Sequence, residues 1–140
     1  MENKEIDKLI AEKVMELVIC HTAETWADKS ESWWCDKERY EAGEQRIKGP
    51  NGMGVCRADI WHPTESIEQA WMVVDKMTND ELYFQITSVH GYGYEVTVFK
   101  SNLEQQKKHG LKNELVTEFA GTAPVAICRA ALKAVGIEIT

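Results

Sequence analysis

Several cysteine and histidine side chains occur in the first half of the chain, and side chains of these types can bind a metal ion. Thiolate and imidazole are the ligands that zinc prefers in proteins. Their spacing matches no familiar zinc knuckle, and the four cysteines form no CxxC pair. We therefore interpret the cysteines as reduced thiols of a cytosolic protein and predict no metal site. The metal candidates that this interpretation sets aside are Cys20, His21, Cys35, Cys56 and His62.

Signatures of catalysis are missing from the sequence. Neither a GxSxG elbow nor a Cys–His arrangement that sequence can identify is present. The glycine-rich stretch that begins at Lys48 lacks the terminal Gly-Lys-Ser/Thr of a phosphate-binding Walker loop. His90 and His109 fall in predicted loops, where solvated side chains are the simpler interpretation. We therefore predict a binding protein rather than an enzyme, with no cofactor.

Aromatic and cationic residues near the glycine-rich loop could bind a nucleotide. An indole or phenol face stacks on a base, and arginine or lysine neutralises phosphate. If Trp33 and Trp34 alternate on a strand, one belongs to the core and the other faces outward, where it could equally mark a protein interface. The predicted ligand-binding residues are Trp33, Trp34, Arg46, Lys48, Arg57 and Lys100, and Trp26, Tyr92 and Tyr94 are further aromatic candidates.

Charge is unevenly distributed along the sequence. The formal net charge of −7 disfavours a nucleic acid polymer as partner. Residues 46–57 nevertheless carry three bases and no acid, and residues 100–113 carry four bases against one acid. If these two islands meet in space they form an anion site, and otherwise they are two solvated loops. We predict that Arg46, Lys48 and Arg57 contact phosphate and that Trp33 or Trp34 stacks on a base.

Apolar periodicity predicts three helices, at about residues 4–18, 65–77 and 123–135. The first has an apolar stripe that runs from Ile6 to Val18. The second has a capping-box spacing at Ser66 and Gln69. The third can start at Thr122 and is rich in small apolar residues, which indicates close packing on a sheet.

Alternating β-branched and aromatic residues predict the strands. Leu82–Val89 and Tyr94–Lys100 form a hairpin, followed by a strand at Leu115–Ala120. Two shorter strands are expected at Ser32–Asp36 and Val55–Trp61. We therefore predict an α+β fold in which one antiparallel sheet is flanked by helices on both faces, an α-β-α sandwich.

The chain length of 140 residues fits a single domain that spans residues 1–140. No apolar run reaches membrane-spanning length, so we expect no membrane partner. Three apolar helices on a sheet of about five strands leave more apolar surface than one layer covers. We therefore expect a homo-oligomer, with the first helix as the interface.

Three sequence blocks resemble the phage ABA sandwich domain family of bacteriophages and prophages. They are I-D-K-L-I-A-E-K-V-M (Ile6–Met15), H-P-T-E-S-I-E-Q-A-W-M-V-V-D-K-M with the following L-Y-F (His62–Met77 and Leu82–Phe84), and G-T-A-P-V-A-I-C-R-A-A-L-K-A-V-G (Gly121–Gly136). These blocks mark a resemblance that covers about two-thirds of the chain and does not include Cys20–Ile60. It implies an α-β-α layered domain of viral origin in a host bacterial cytoplasm, and it implies no activity.

Two hypotheses about function follow. In the first, the protein is a phage accessory protein that counters bacterial defence by sequestering a nucleotide-derived immune signal of the cyclic nucleotide or cyclic ADP-ribose type. Its partner would be a small anionic nucleotide-like ligand. In the alternative, the protein inhibits a host defence protein by binding it.

Overall fold

The computed structural model of the protein describes residues 1–22, 31–100 and 113–139. Trp26 and the basic residues Lys107, Lys108 and Lys112 lie outside the described residues, as does His109. The elements in chain order are α1 (Asn3–Leu9), a π-helical segment (Ile10–Val14), β1 (Leu17–His21), β2 (Ser32–Asp36), α2 (Lys37–Glu41), β3 (Gly54–Arg57), a 3₁₀ turn (Ala58–Ile60), α3 (Ile67–Asn79), β4 (Leu82–Val89), β5 (Gly93–Lys100), β6 (Asn113–Ala120) and α4 (Ala123–Ala134).

The first helix is shorter than the sequence predicts. It widens into the π-helical segment after Leu9 and ends at Val14. Glu16 then takes a left-handed backbone conformation (φ 54°), which a continuing helix cannot contain. The chain therefore leaves the helix and enters β1. The first residues of this strand fit the apolar period of the helix, so the sequence predicted them as helical.

All but one of the remaining predicted elements are confirmed with small changes at their ends. The β4–β5 hairpin pairs in register from Leu82 opposite Lys100 to Val89 opposite Gly93. Helix α3 starts two residues later than predicted, with the Ser66 hydroxyl accepting a hydrogen bond from the Gln69 N–H at 3.2 Å. The predicted strand at Val55–Trp61 is wrong in its second half, since the chain turns at Ala58–Ile60.

The α+β class with antiparallel pairing is confirmed, but the prediction of a single sheet is wrong. The described strands form two antiparallel three-stranded sheets, in the orders β1-β2-β3 and β4-β5-β6. In both sheets the strands are neighbours in sequence order. Helix α3 separates the two sheets along the chain.

Helix α4 contacts two cores through opposite sides. One side packs Ala126, Ile127 and Ala130 against the β4-β5-β6 sheet. The other side packs Cys128, Ala131 and Leu132 into a core that also contains α1, the π-helical segment and residues of the β1-β2-β3 sheet. The small residues predicted to allow close packing serve both contacts. Among the described residues, the helices cover one face of β4-β5-β6, and residues such as Phe119 are exposed on the other.

The apolar stripe of α1 and the π-helical segment is buried in the core of the monomer. Ile6, Ile10 and Val14 are all buried within one chain. The stripe is therefore unavailable as the interface that we expected it to form. In the described ranges, no helix combines the length and apolarity needed to span a membrane.

Candidate functional site

The two adjacent tryptophans lie on opposite faces of β2, as the alternation predicts. Trp34 is only 6% exposed and belongs to the core around α1. Trp33 is half-buried and packs over a small separate core on the other face. Arg57 lies directly opposite Trp33 in the β2–β3 ladder, so their side chains share a face.

Three of the predicted ligand-binding residues converge, and an internal carboxylate occupies the point where they meet. Glu31 accepts a hydrogen bond from the Trp33 indole at 3.0 Å and forms an ion pair with Lys48 at 3.1 Å. These two contacts and the charge of Arg57 hold the pKa of Glu31 below its usual range. Arg57 also pairs with Asp59 at 2.7 Å. The positive charge expected to be free for phosphate is therefore largely matched by acids of the same chain.

The other predicted binding residues lie apart from this cluster or at its rim. Arg46 is exposed and donates to the Lys48 carbonyl at 3.3 Å. Lys100 is at the end of β5, opposite Leu82 in the second sheet. Tyr92 lies at the tip of the β4–β5 hairpin, and its side chain is largely exposed (78%). Tyr94 faces the helices instead, next to the core of the second sheet.

The glycine-rich loop is held by an arginine that sequence reasoning missed. Arg39, on α2, donates to the carbonyls of Gly52 (3.1 Å) and Asn51 (2.6 Å) and forms a two-pronged contact with Glu44. This planar fork matches two acceptors at once, which lysine cannot do. The sequence does not indicate this role of Arg39, because its partners are 5 to 13 residues away and follow no regular spacing.

Glycine is required in this loop at two positions where another part of the loop backbone lies very close. A Cβ on Gly52 would lie 2.2 Å from the Ile47 carbonyl oxygen. A Cβ on Gly54 would lie 2.7 Å from the same oxygen and 2.9 Å from the Trp33 ring. These glycines thus permit close packing of the loop against the rest of the protein.

A groove runs between α1 and the β1-β2-β3 sheet, and its first part is an aromatic cleft of about 530 Å³. Its walls include Ile19, which is 40% exposed, and two tryptophans that are mostly buried, Trp34 (6%) and Trp61 (3%). Such a volume is in the range of small-molecule sites. The full lining of the cleft is Glu2, Lys4, Glu5, Asp7, Lys8, Ile19, Trp34, Ala58, Trp61 and His62.

The second part of the groove is rich in lysine. This cavity of about 360 Å³ shares Lys8, Ile19 and Trp34 with the aromatic cleft. Lys8 makes only a loose pair with Glu12, at 3.8 Å. The remaining lysines are Lys13 from the π-helical segment and Lys37 from α2. Neither forms an ion pair with any residue that the structure describes.

Sequence reasoning missed these three lysines because acids surround each of them in the sequence. Lys8 and Lys13 belong to a segment that is strongly acidic overall, with twelve acids against six bases in residues 1–45. The fold brings them beside Lys37, which is separated from them by β1 and β2. For Lys8 and Lys13, a position on the predicted first helix was the only signal available, and for Lys37 there was no signal in the sequence.

A buried carboxylate anchors one wall of the groove. Asp7 is 6% exposed, and its Oδ1 accepts the Thr64 N–H at 2.9 Å. Its backbone carbonyl accepts the Trp61 indole N–H, also at 2.9 Å. His62 Nδ1 lies 3.8 Å from the Asp7 carboxylate. Burial raises the pKa of Asp7, against the lowering effect of the Thr64 hydrogen bonds and His62.

The candidate zinc ligands are distributed over two faces of the first sheet, except His62, which follows the 3₁₀ turn. Cys20 lies opposite Trp33 and Cys35 opposite Val18, whereas Cys56 lies opposite Trp34 on the other face. All four cysteines are free. Within residues 1–22, 31–100 and 113–139, no group of three or more His, Cys, Asp or Glu side chains is arranged to hold a metal.

The fold defines the class of the protein as a layered α+β domain built on antiparallel sheets. The model of the phage ABA sandwich domain family matches residues 8–132, and the chain belongs to this family. This match confirms the resemblance of the three sequence blocks. It identifies the chain as a small phage protein. No curated protein and no solved structure matches the chain.

Proposed function

We propose that this phage protein counters bacterial defence by binding a nucleotide-derived immune signal without cleaving it. The observation that carries the proposal is the groove, because it joins an aromatic cleft to a cavity with three lysines. A base or other flat apolar group needs the first environment, and phosphate needs the second. The proposed place of action is the host bacterial cytoplasm, where such signals are made.

Charge favours the lysine part of the groove over the glycine-rich loop as the phosphate site. At the loop, a ligand phosphate would have to displace Glu31 from Lys48. At the groove, Lys13 and Lys37 have no described carboxylate to release, although both also line an adjoining cavity of about 600 Å³ whose lining includes the acids Glu12, Glu16, Asp36, Glu38 and Glu41. A phosphate bound at the groove would compete at most with the loose Lys8–Glu12 pair, whereas a phosphate at the loop would have to break the closer Lys48–Glu31 pair.

The ligand can be detected through material that copurifies with the protein. Protein isolated from a bacterium with an active nucleotide signalling system should carry a compound that absorbs near 260 nm and that heat releases. The double variant Lys13→Ala/Lys37→Ala should carry much less of it. Lys48→Ala is the matched control, because it removes a lysine that is already paired and lies outside the groove. Equal loading of both variants, or an unloaded wild type, would argue against sequestration in this groove.

A second candidate function, inhibition by binding a host defence protein, is favoured by the position of β1. It is an edge strand of its sheet in the described part of the chain. The Thr22 N–H donates to the Glu31 carbonyl at 2.9 Å, which fixes the alternation along the β1–β2 ladder. By that alternation, the backbone groups of Leu17, Ile19 and His21 point away from β2. An extended segment of a partner could pair with this edge.

The two candidates give different results with a substitution on the strand edge. Ile19→Pro removes an outward N–H and blocks strand addition. If inhibition of a host protein is the function, this variant should lose a purified stoichiometric complex that Leu115→Pro, on an exposed position of β6, retains. If sequestration is the function, no such complex forms and the 260 nm material accompanies the wild type.

A further inference from the structure

A small third core lies between β1, β2 and the glycine-rich loop, and sulfur dominates it. Among the described residues, its buried members are Cys20, Cys35 and Met53, at 7%, 0% and 3% exposure. Partly buried Val18, Trp33 and Ile47 pack around them. All three buried side chains therefore end in, or contain, a soft sulfur donor, and their surroundings are apolar.

Backbone pairing fixes these three residues relative to one another. Cys20 lies opposite Trp33 on β2, and Cys35 follows two residues later on the same face. The Asp36 N–H donates to the Met53 carbonyl at 2.9 Å, so Met53 enters the core directly beside the end of β2. Cys20 and Cys35 are therefore diagonal neighbours across the β1–β2 ladder, and both pack with Met53 in one buried cluster.

We propose that Cys20, Cys35 and Met53 form a binding site for a soft monovalent metal ion, Cu(I). Thiolate and thioether are soft ligands that suit soft metal ions such as Cu(I). In the binding step, Cu(I) displaces both thiol protons to the solvent, two Cu–thiolate bonds and one Cu–thioether bond form, and no atom changes its oxidation state. The site carries one net negative charge. It would tie the start of β3 and the glycine-rich loop to β1 and β2.

This assignment differs from a zinc site in a way that the fold explains. Zinc structural sites take four thiolate or imidazole ligands. Of the three other candidates for such ligands, His21 and Cys56 occupy the opposite face of the sheet, where His21 bonds the Ser32 hydroxyl at 2.9 Å. His62 lies after the 3₁₀ turn, beside Asp7. A site of two thiolates and one thioether suits the lower coordination number that Cu(I) accepts.

Anaerobic titration of the whole protein with Cu(I), against a chromogenic Cu(I) chelator, tests the proposal. The wild type should bind one equivalent, release two protons, and unfold at a higher temperature with the metal than without it. Cys20→Ser and Cys35→Ser should each abolish this binding. Met53→Leu, which keeps the side-chain volume and removes the sulfur, should weaken it by at least about tenfold, the effect of roughly 1.4 kcal/mol.

Matched controls separate the site from general thiol chemistry. Cys56→Ser and Met77→Leu remove sulfur atoms outside this core and should bind Cu(I) as the wild type does. If the serine variants prove unfolded by circular dichroism, Met53→Leu alone decides the outcome. A wild type that binds no Cu(I), a Met53→Leu variant with unchanged affinity, or loss of binding in Cys56→Ser would overturn the assignment.

Discussion

At the scale of single residues, the internal acids decide which cations are available to a ligand. The sequence predicts the convergence of Trp33, Lys48 and Arg57, and the structure brings them together. It also places Glu31 among them, as the acceptor of both the indole and the ammonium. No feature of the sequence indicates that pairing, because Glu31 precedes β2 and Lys48 follows α2. No observation tests whether these residues contact a ligand phosphate, and the competing carboxylates are the reason why we place the phosphate at the groove instead.

Asp7 should make the free energy of unfolding fall as pH rises, whereas most carboxylates in proteins have the opposite effect. Its pKa is raised above the ordinary 3.8, so the folded chain keeps this proton at pH values where the unfolded chain has lost it. The stabilising contribution of Asp7 is therefore largest below pH 3.8 and is lost as pH rises through the folded-state pKa. Asp7→Asn keeps an acceptor for the Thr64 N–H and removes this titration.

Urea unfolding between about pH 3.5 and 5.5, below the titration of histidine, measures the effect. The free energy of unfolding of Asp7→Asn should improve relative to the wild type as pH rises across this range. Asp75→Asn, at an exposed position of α3, is the control and should show no such trend. A wild-type advantage that grows with pH would show that Asp7 is stabilised as the anion instead.

At the scale of elements, glycine governs how the loop packs onto the first sheet. Gly54→Ala would place a methyl group 2.7 Å from the Ile47 carbonyl, which is backbone and cannot turn aside. We expect a loss of about 1–3 kcal/mol in the free energy of unfolding, as for other overpacked sites. Gly121→Ala is the matched control because nothing lies within 4 Å of its added Cβ. Chemical denaturation of the two variants checks the difference, and equal midpoints would show that the loop adjusts without strain.

Helices and strands with a clear period could be predicted from the sequence, and irregular transitions could not. The β4–β5 hairpin, β6, α3 and α4 all have strong periodic patterns and all occur as expected. The change from helix to β1 depends on one left-handed residue, Glu16, whose side chain gives no sign of it. Leu17 and Val18 extend the apolar period of the helix although they belong to the strand, which explains the error.

At the scale of the whole molecule, the partition of the strands into two sheets decides where a groove can form. Local patterns specify strands and hairpins, but they do not specify which hairpins share a sheet. The separate β1-β2-β3 sheet leaves β1 as an edge beside α1, and the groove follows this edge. The groove lysines come from three elements, so only the tertiary structure assembles them.

Self-association remains an expectation, and the structure moves its proposed interface from α1 to α3. The first turns of α3 expose Ile67 (51%) and Trp71 (50%), and Ile60 just before the helix is 54% exposed. Large apolar side chains exposed together are typical of an interface. Trp71→Lys should therefore convert a dimer into a monomer of 15.9 kDa in light scattering at micromolar concentration. Tyr92→Lys, at the exposed hairpin tip, should leave the mass unchanged, and a wild type that is already monomeric would contradict the expectation.

The most direct test of the central claim is calorimetric titration of cyclic dinucleotides and cyclic ADP-ribose isomers into the wild type and four variants. The groove account predicts that the wild type binds one of these compounds and that Lys13→Ala and Lys37→Ala each weaken binding by about 1.5–3 kcal/mol, roughly ten- to over a hundredfold. Lys48→Ala and Arg57→Ala should bind as the wild type does. If instead Lys48→Ala and Arg57→Ala lose affinity while the groove variants retain it, the site is at the glycine-rich loop, and binding of none of the compounds would contradict sequestration itself.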